Sequence, residues 1–184
     1  FISLLVFRLM FNGIGPINNM LVNFGIERIP FFTDPILAKI SVLAINTWVG
    51  APYFMVLLSG SLTNISSTLY EAAEIDGATK MQQFKHITLP MLLFQTAPVL
   101  ILSFAYNFNN FGAIYLLTDG NPVNSNLKFA GETDILVTWL YKLTVNQQQF
   151  GMAAVISIVL FAFIATVSLY NFRKSKSFTE EDMI

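Results

Sequence analysis

Glu71-Ala72-Ala73-Glu74-Ile75-Asp76-Gly77-Ala78-Thr79, running on to Ile87-Thr88-Leu89-Pro90, is the longest polar interval between two apolar segments of the chain. Its front half reads as a short helix. Ala72, Ala73 and the glutamates favour helix, and Gly77 can end or bend it. Pro90 fits the first turn of the next apolar helix, where a missing N–H costs nothing. A polar helix held between two long apolar runs is suited to dock on a soluble partner.

The composition supports that frame. Of 184 residues, 54% are hydrophobic and only 11% charged, and mean hydropathy is +0.61. A soluble domain carries roughly 25% charge, so these values, with 18 Phe, fit a polytopic membrane protein. The expected fold class is all-α, a membrane helix bundle. A net charge of −1 argues against nucleic acid as a partner. The absence of cysteine excludes disulfides, thiolate metal sites and cysteine nucleophiles.

Outward from the polar interval, spans are expected at about 1–11, 36–59, 90–117 and 150–172, with a coupling loop at 60–89, in a single membrane domain. The first stretch is too short to cross a bilayer, so the chain reads as beginning inside a span. Arg8 within it either snorkels to the interface, the favoured reading, or faces a polar interior. In the loop Asn12–Pro35, residues Ile17–Phe24 are expected to form a short interfacial helix. Thr33-Asp34-Pro35 supplies a cap and a first-turn proline for the next span. Gly50 and Pro52 interrupt that span and imply a kink facing protein or a wet cavity. Lys39 lies near its end, within reach of water.

The interval 91–117 has room for one tilted helix carrying Asn107, Asn109 and Asn110 in its outer half. Beyond it come a turn at Asp119-Gly120-Asn121-Pro122 and a short helix at Ile135–Leu143, with Thr133 or Asp134 as cap. The last span has a small-residue face, Gly151, Ala153, Ala154 and Ser157, suited to close packing. Arg173, Lys174 and Lys176 follow it and place the C-terminus in the cytoplasm, ahead of the acidic Glu180-Glu181-Asp182. The 60–89 loop is then cytoplasmic as well, although Arg28, Lys128 and Lys142 fall outside.

Enzyme chemistry finds little support. His86 has no metal-ligand cluster around it, no Ser/His/Asp set converges, and no G-x-x-x-x-G-K-[ST] loop is present to bind a nucleotide. If ATP drives this protein, another chain binds it. The complete spans lack Asp, Glu and His in their central parts, which weighs against proton coupling. They hold amides, hydroxyls and aromatic rings instead. Asn46, Val49, Gly50 and Tyr53 recur at helical spacing on one face, and Ser103, Tyr106, Asn107 and Asn110 on another. Amides suit a hydroxyl-rich neutral ligand, and aromatic faces suit the C–H faces of sugar rings. The alternative is helix–helix glue, where interhelical amide bonds contribute about 0.6 kcal/mol each.

The polar interval also resembles the EAA loop of ABC-importer membrane subunits: Glu-Ala-Ala, Gly after three residues, then Ile-x-Leu-Pro after nine more. It matches at Glu71, Ala72, Ala73, Gly77, Ile87, Leu89 and Pro90. Nearly the whole chain is similar to the maltose/maltodextrin (MalF-type) permease subunits. The resemblance is carried by Phe1–Leu21, Asn46-Thr47-Trp48-x-Gly50-x-Pro52-Tyr53 and Ser103-Phe104-Ala105-Tyr106-Asn107-Phe108-Asn109-Asn110-Phe111. Leu116-Leu117-Thr118-x-Gly120-x-Pro122, Thr133-Asp134-Ile135-Leu136-Val137 and Phe150-Gly151-x-Ala153-Ala154 continue it.

The resemblance implies a multi-pass bacterial inner-membrane permease that moves maltose- or maltodextrin-type sugar by alternating access. Its implied partners are a cytoplasmic ATPase dimer, a second permease subunit, an extracytoplasmic sugar-binding protein and membrane lipid. ATP and Mg would sit in the ATPase, and no cofactor in this chain. It implies sugar contacts at Asn46, Val49, Gly50, Tyr53, Ser103, Tyr106, Asn107 and Asn110. Val49 replaces a leucine and Tyr106 a phenylalanine, and the added hydroxyl bears on which sugar fits. It also implies ATPase coupling through Glu71 as acidic anchor, Ala72 and Ala73 for close approach, and Gly77 for the turn. An ion-coupled sugar carrier, a permease for another sugar and a non-transporting scaffold remain the alternatives.

Overall fold

Each long apolar run becomes a helix, because a backbone away from water satisfies its N–H and C=O groups within its own segment. The computed structural model describes residues 1–127 and 129–174. Lys128, Lys176 and the acidic Glu180-Glu181-Asp182 lie outside the described residues. In chain order the helices are α1 (Ile2–Met10), α2 (Pro16–Asn23), α3 (Pro35–Thr63), α4 (Ser67–Ile75), α5 (Lys80–Gln83), α6 (Leu89–Phe108), α7 (Phe111–Leu117), α8 (Leu136–Tyr141) and α9 (Phe150–Lys174). The only β feature among the described residues is an isolated bridge between Val123 and Gly131. The fold is all-α, with three helices long and apolar enough to cross a membrane: Pro35–Thr63, Lys80–Phe108 and Phe150–Arg173.

Local chemistry explains several helix starts. Pro16 opens α2, with its fixed φ suited to the first turn. Asp34 Oδ1 accepts from the N–H groups of Ile36 (3.0 Å) and Leu37 (2.9 Å), capping α3 as the Thr-Asp-Pro signal predicts. The helix then runs through Gly50 and Pro52 to Thr63, past the expected end at Ser59.

Two expectations about the third span are corrected. Pro90 does not open a helix. Residues 80–108 are helical throughout, with a π-helical turn at Phe84–Thr88 joining α5 to α6. Pro90 has no N–H for the carbonyl four residues back, and widening the ladder just before it accommodates that loss. The polar interval therefore shortens to the stretch between Thr63 and Lys80. Nor is 91–117 one helix: α6 ends at Phe108, and Asn110 starts α7. Asparagine side chains compete for backbone N–H groups, and Asn110 Oδ1 takes the one at Ala113 (3.3 Å).

The described residues form two compact units, 1–50 with 106–164, and 51–105 with those from 165 to 174. In the first, α1 packs on α2 and α7, and α7 on α8. Its core is Val42, Ile45, Ile114 and Leu117, flanked by Leu4, Phe7, Phe11, Phe32 and Ile135. Rings of Phe111, Tyr115 and Tyr141 meet at centroid distances of 4.9–5.5 Å where α7 meets α8. Arg8 donates to Leu116 O (3.2 Å), a carbonyl in the last turn of α7. A cation is favourable there, and Arg8 itself is exposed.

Fully buried Asn18 holds the segment between α1 and α3. Its Nδ2 donates to Asn12 O (3.1 Å) and Ile29 O (3.0 Å), and its Oδ1 accepts from Ile29 N (2.8 Å). The segment before α8 is stitched by Thr118 and Thr133, whose hydroxyls lie 2.7 Å apart, and by Lys39 with Glu132 (2.5 Å). Neither Thr133 nor Asp134 caps α8. Thr138 Oγ1 accepts from Ile135 N (3.0 Å), while Asp134 accepts from Gly131 N (2.7 Å) and pairs with Lys142 (2.8 Å). Gly120, at φ +77, lies against Asp134 and Lys142 where a Cβ has no room.

Candidate functional site

Two groups of residues matter, and each is built from its own local structure. In the first compact unit, Asn46 sits on α3 one residue after core Ile45, half-buried. Asn110 Nδ2 donates to Asn46 Oδ1 (3.0 Å), joining residues 64 apart in sequence. Val49 and Gly50 follow on α3, and Tyr106 and Asn107 lie exposed near the end of α6. Tyr53 (exposed) and Ser103 (half-buried) belong to the second unit. Ser103, Tyr106 and Asn107 share α6. Asn110 does not, so the expected four-residue helical face is reduced to three. What the structure brings together is Asn46 with Asn110.

The side chains of Asn46, Tyr106, Asn107 and Asn110 carry no formal charge. Carboxamides and a tyrosine hydroxyl offer donors and acceptors without a formal charge, which suits hydroxyl groups. Trp48, 72% exposed, and Tyr53, 57% exposed, add aromatic area on α3. Pro52 leaves the Trp48 carbonyl without its usual helical donor.

The second group lies between α3 and α6. Ser66 opens α4, its hydroxyl accepting from Thr68 N at 3.4 Å. Glu71 and Ala72 are exposed and Ala73 is half-buried. The helix ends in a Schellman motif: Ala78 N donates to Ala73 O (2.9 Å) and Gly77 N to Glu74 O (3.0 Å). Gly77 sits at φ +78, the left-handed region the motif requires, as its place in the sequence predicts.

Sequence reasoning missed what braces this turn. Thr79 N donates to Gln82 Oε1 (2.7 Å) while Gln82 N donates to Thr79 Oγ1 (3.4 Å). Thr79-x-x-Gln82 is a readable capping box. Glu74 pairs with Lys80, whose ammonium donates to the Glu74 carboxyl and holds it below the usual carboxylate range. Tyr70 OH meets Thr88 Oγ1 at 2.8 Å, tying α4 to the π turn, a contact no local pattern announces. Between these elements lies a cleft of about 320 Å³ lined by Ala73, Asp76, Gly77, Gln82, Gln83 and His86, among others. His86 Nδ1 lies 3.0 Å from Gln82 O, so the neutral ring carries its proton there. Among the described residues, no three His, Asp or Glu side chains gather to hold a metal.

A family model described as the binding-protein-dependent transport system inner membrane component matches residues 1–176. The chain belongs to that family. Two Bacillus subtilis relatives illustrate its range. The galactooligosaccharides transport system permease protein GanP is 41% identical over 98% of this chain, and the maltodextrin transport system permease protein MdxF is 42% identical over 100% of it. This chain spans 44% of the length of each. Among solved structures, it is similar to the bacterial alginate ABC transporter in complex with alginate pentasaccharide-bound periplasmic protein. That likeness has a TM-score of 0.77 at 26% identity and covers 97% of this chain and 60% of the other. The long helices are apolar and bury few of their own residues, which accords with an inner-membrane family.

Proposed function

We propose that this chain is part of the transmembrane permease subunit of an ATP-driven importer for maltodextrin-type oligosaccharides. The observation that carries the proposal is α4: a helix with Glu71 and Ala72 exposed and Ala73 half-buried, closed at Gly77, between two membrane-length helices of a binding-protein-dependent family. In this reading α4 faces the cytoplasm and docks on an ATPase dimer. Glu71 meets a basic group there, while Ala72 and Ala73 permit close approach. ATP binding closes the ATPase and moves α4 as a rigid body. The spans then switch access around a sugar site made by Asn46, Val49, Gly50, Tyr53, Ser103, Tyr106, Asn107 and Asn110. Such coupling requires ligand and nucleotide to bind two global states with different free energy. A second permease subunit completes the path, and an outer sugar-binding protein delivers the cargo. ATP and Mg stay in the ATPase, and this subunit carries out no chemistry of its own.

A galactooligosaccharide is the second substrate reading, favoured by the 41% identity to GanP. An ion-coupled carrier is disfavoured by the lack of Asp, Glu and His in the central parts of the spans. Vesicles holding the full-length subunit with its partners test the proposal. Labelled maltotriose should enter only with ATP and binding protein, and Glu71→Lys should weaken ATPase association and uncouple uptake. ATP-independent, ion-driven uptake would overturn the importer reading. Wild-type transport by Glu71→Lys would overturn the docking role.

A further inference from the structure

A turn and a side-chain bridge tie α4 to the helical stretch 80–108, and they act at different ends. The turn runs from Asp76 to Thr79, and an attachment at one end leaves a short helix free to pivot. Glu74 and Lys80 pair close to that turn, and both are exposed, so they resist a pivot weakly. The bridge lies toward the opposite end of α4, where Tyr70 OH and Thr88 Oγ1 meet at 2.8 Å. At 1.5 Å per residue, Tyr70 stands about 10 Å along the axis from Gly77. A contact on that lever arm opposes the pivot that the turn allows. Thr88 is buried, so its hydroxyl meets the tyrosine in place of water.

The backbone that receives the bridge is compliant. Thr88 is the last residue of the π-helical turn Phe84–Thr88, whose widened ladder sets Leu89 N–H on Phe84 O. Pro90 then has no N–H for the His86 carbonyl. Helices bend at π turns and at prolines, and here the two adjoin. The bridge from α4 therefore ends where the 80–108 stretch bends most readily.

We infer that Tyr70 is a positioning residue for transport: its bond to Thr88 carries movement of α4 into the π turn and so redirects α6. The inference rests on the proposal that α4 docks on an ATPase, and it adds the path by which movement leaves α4. Glu71, Ala72 and Ala73 receive the movement, and Tyr70 passes it on. Without the bridge α4 rocks about the turn at Asp76–Thr79, and fewer sugar molecules cross for each ATP hydrolysed.

The assay counts sugar molecules taken up per ATP hydrolysed by the complete importer in proteoliposomes with its binding protein. The cargo is maltotriose or a galactotriose, whichever the wild type takes up. Tyr70→Phe and Thr88→Val each remove one hydroxyl and should lower that ratio about fivefold, the scale of one hydrogen bond. The double variant should fall no further, because both changes break the same bond. Thr88→Ser keeps the hydroxyl and should keep the wild-type ratio. Thr96→Val is the structural control. It removes a buried hydroxyl that bonds Leu92 O (2.7 Å) within α6, and should leave the ratio unchanged even where it lowers the melting temperature. A second readout is amide exchange at Leu89. Trapping the ATPase closed with ATP and vanadate should alter protection there in the wild type and not in Tyr70→Phe.

Wild-type ratios in both Tyr70→Phe and Thr88→Val would overturn the inference and leave the importer reading standing. A double variant that multiplies the two losses would also overturn it, as would a Thr96→Val loss equal to that of Thr88→Val. Absence of ATP-dependent uptake by the wild type would instead count against the importer reading itself. Should Tyr70→Phe and Thr88→Val fail to assemble, exchange at Leu89 in the wild type decides: a change on closing the ATPase supports the bridge, and no change overturns it.

Discussion

Replacing Gly77 tests whether the end of α4 is held by backbone geometry alone. An ideal Cβ at Gly77 meets nothing within 4 Å, so substitution there adds no clash. What remains is conformation: φ is +78, and a left-handed residue with a side chain costs about 1–2 kcal/mol. That penalty opens the turn about 5–30 times more often. Asparagine tolerates this region better than alanine, and valine worst of all. The reporter is amide hydrogen exchange at Ala78, whose N–H bonds Ala73 O at 2.9 Å only while the motif is closed. In the assembled importer, protection there should fall in the order Gly, Asn, Ala, Val, by about 5–30-fold between Gly and Ala. ATP-driven uptake should decline in the same order if the rigid end of α4 carries the coupling. Equal protection at Ala78 across the series would refute the geometric account, and ordered protection with unchanged uptake would refute its link to transport.

Two further predictions concern folding. Asn18→Ala removes three hydrogen bonds from a fully buried side chain and should lower stability by about 1–3 kcal/mol, partly offset by water reaching half-buried Ile29. Asn18→Asp should be worse, since it sets a carboxylate against the Asn12 and Ile29 carbonyls; thermal melts in detergent that match wild type would count against the network. Glu132 has its carboxyl held below the ordinary value of 4.5, first by the hydrogen bond from Lys39 and then by that ammonium's charge, with Asn124 adding to it. A depressed folded value means the stabilisation is complete above the ordinary carboxylate range and is lost as pH falls through the lower folded value. Glu132→Gln should therefore flatten the acid side of the stability profile, and an unchanged profile would show that the Lys39 pair does not form.

The helices, the Asp34 cap and the glycine at the end of α4 were legible because each depends on neighbours in sequence. Apolar length announces a span, Thr-Asp-Pro announces a start, and a glycine after a helical run announces a stop. What was hidden depends on groups far apart in the chain. Nothing near Arg8 in sequence announces Leu116 O, which α7 places 3.2 Å from its guanidinium. Asp134 reads as a cap until Lys142 and Gly131 both claim its Oδ2. The break at Asn109 and Asn110 looked like a polar helix face, because amides at helical spacing and an amide that ends a helix have the same composition. Pro90 looked like a helix start because a π turn has no spacing rule to betray it.

The asparagines bear most directly on the proposed sugar site, and they show how far composition can carry a functional reading. Amides in an apolar chain suggest a ligand for hydroxyl groups, yet Asn18 spends both ends of its side chain on backbone. Asn110 spends one end on backbone and the other on Asn46. An amide whose donor and acceptor are both engaged inside the protein has less to offer a sugar than its residue type suggests. The number of amides near a membrane site therefore overstates the number of hydrogen bonds it offers. Asn46 differs because its bridge to Asn110 uses the oxygen and leaves the N–H groups out of that bond.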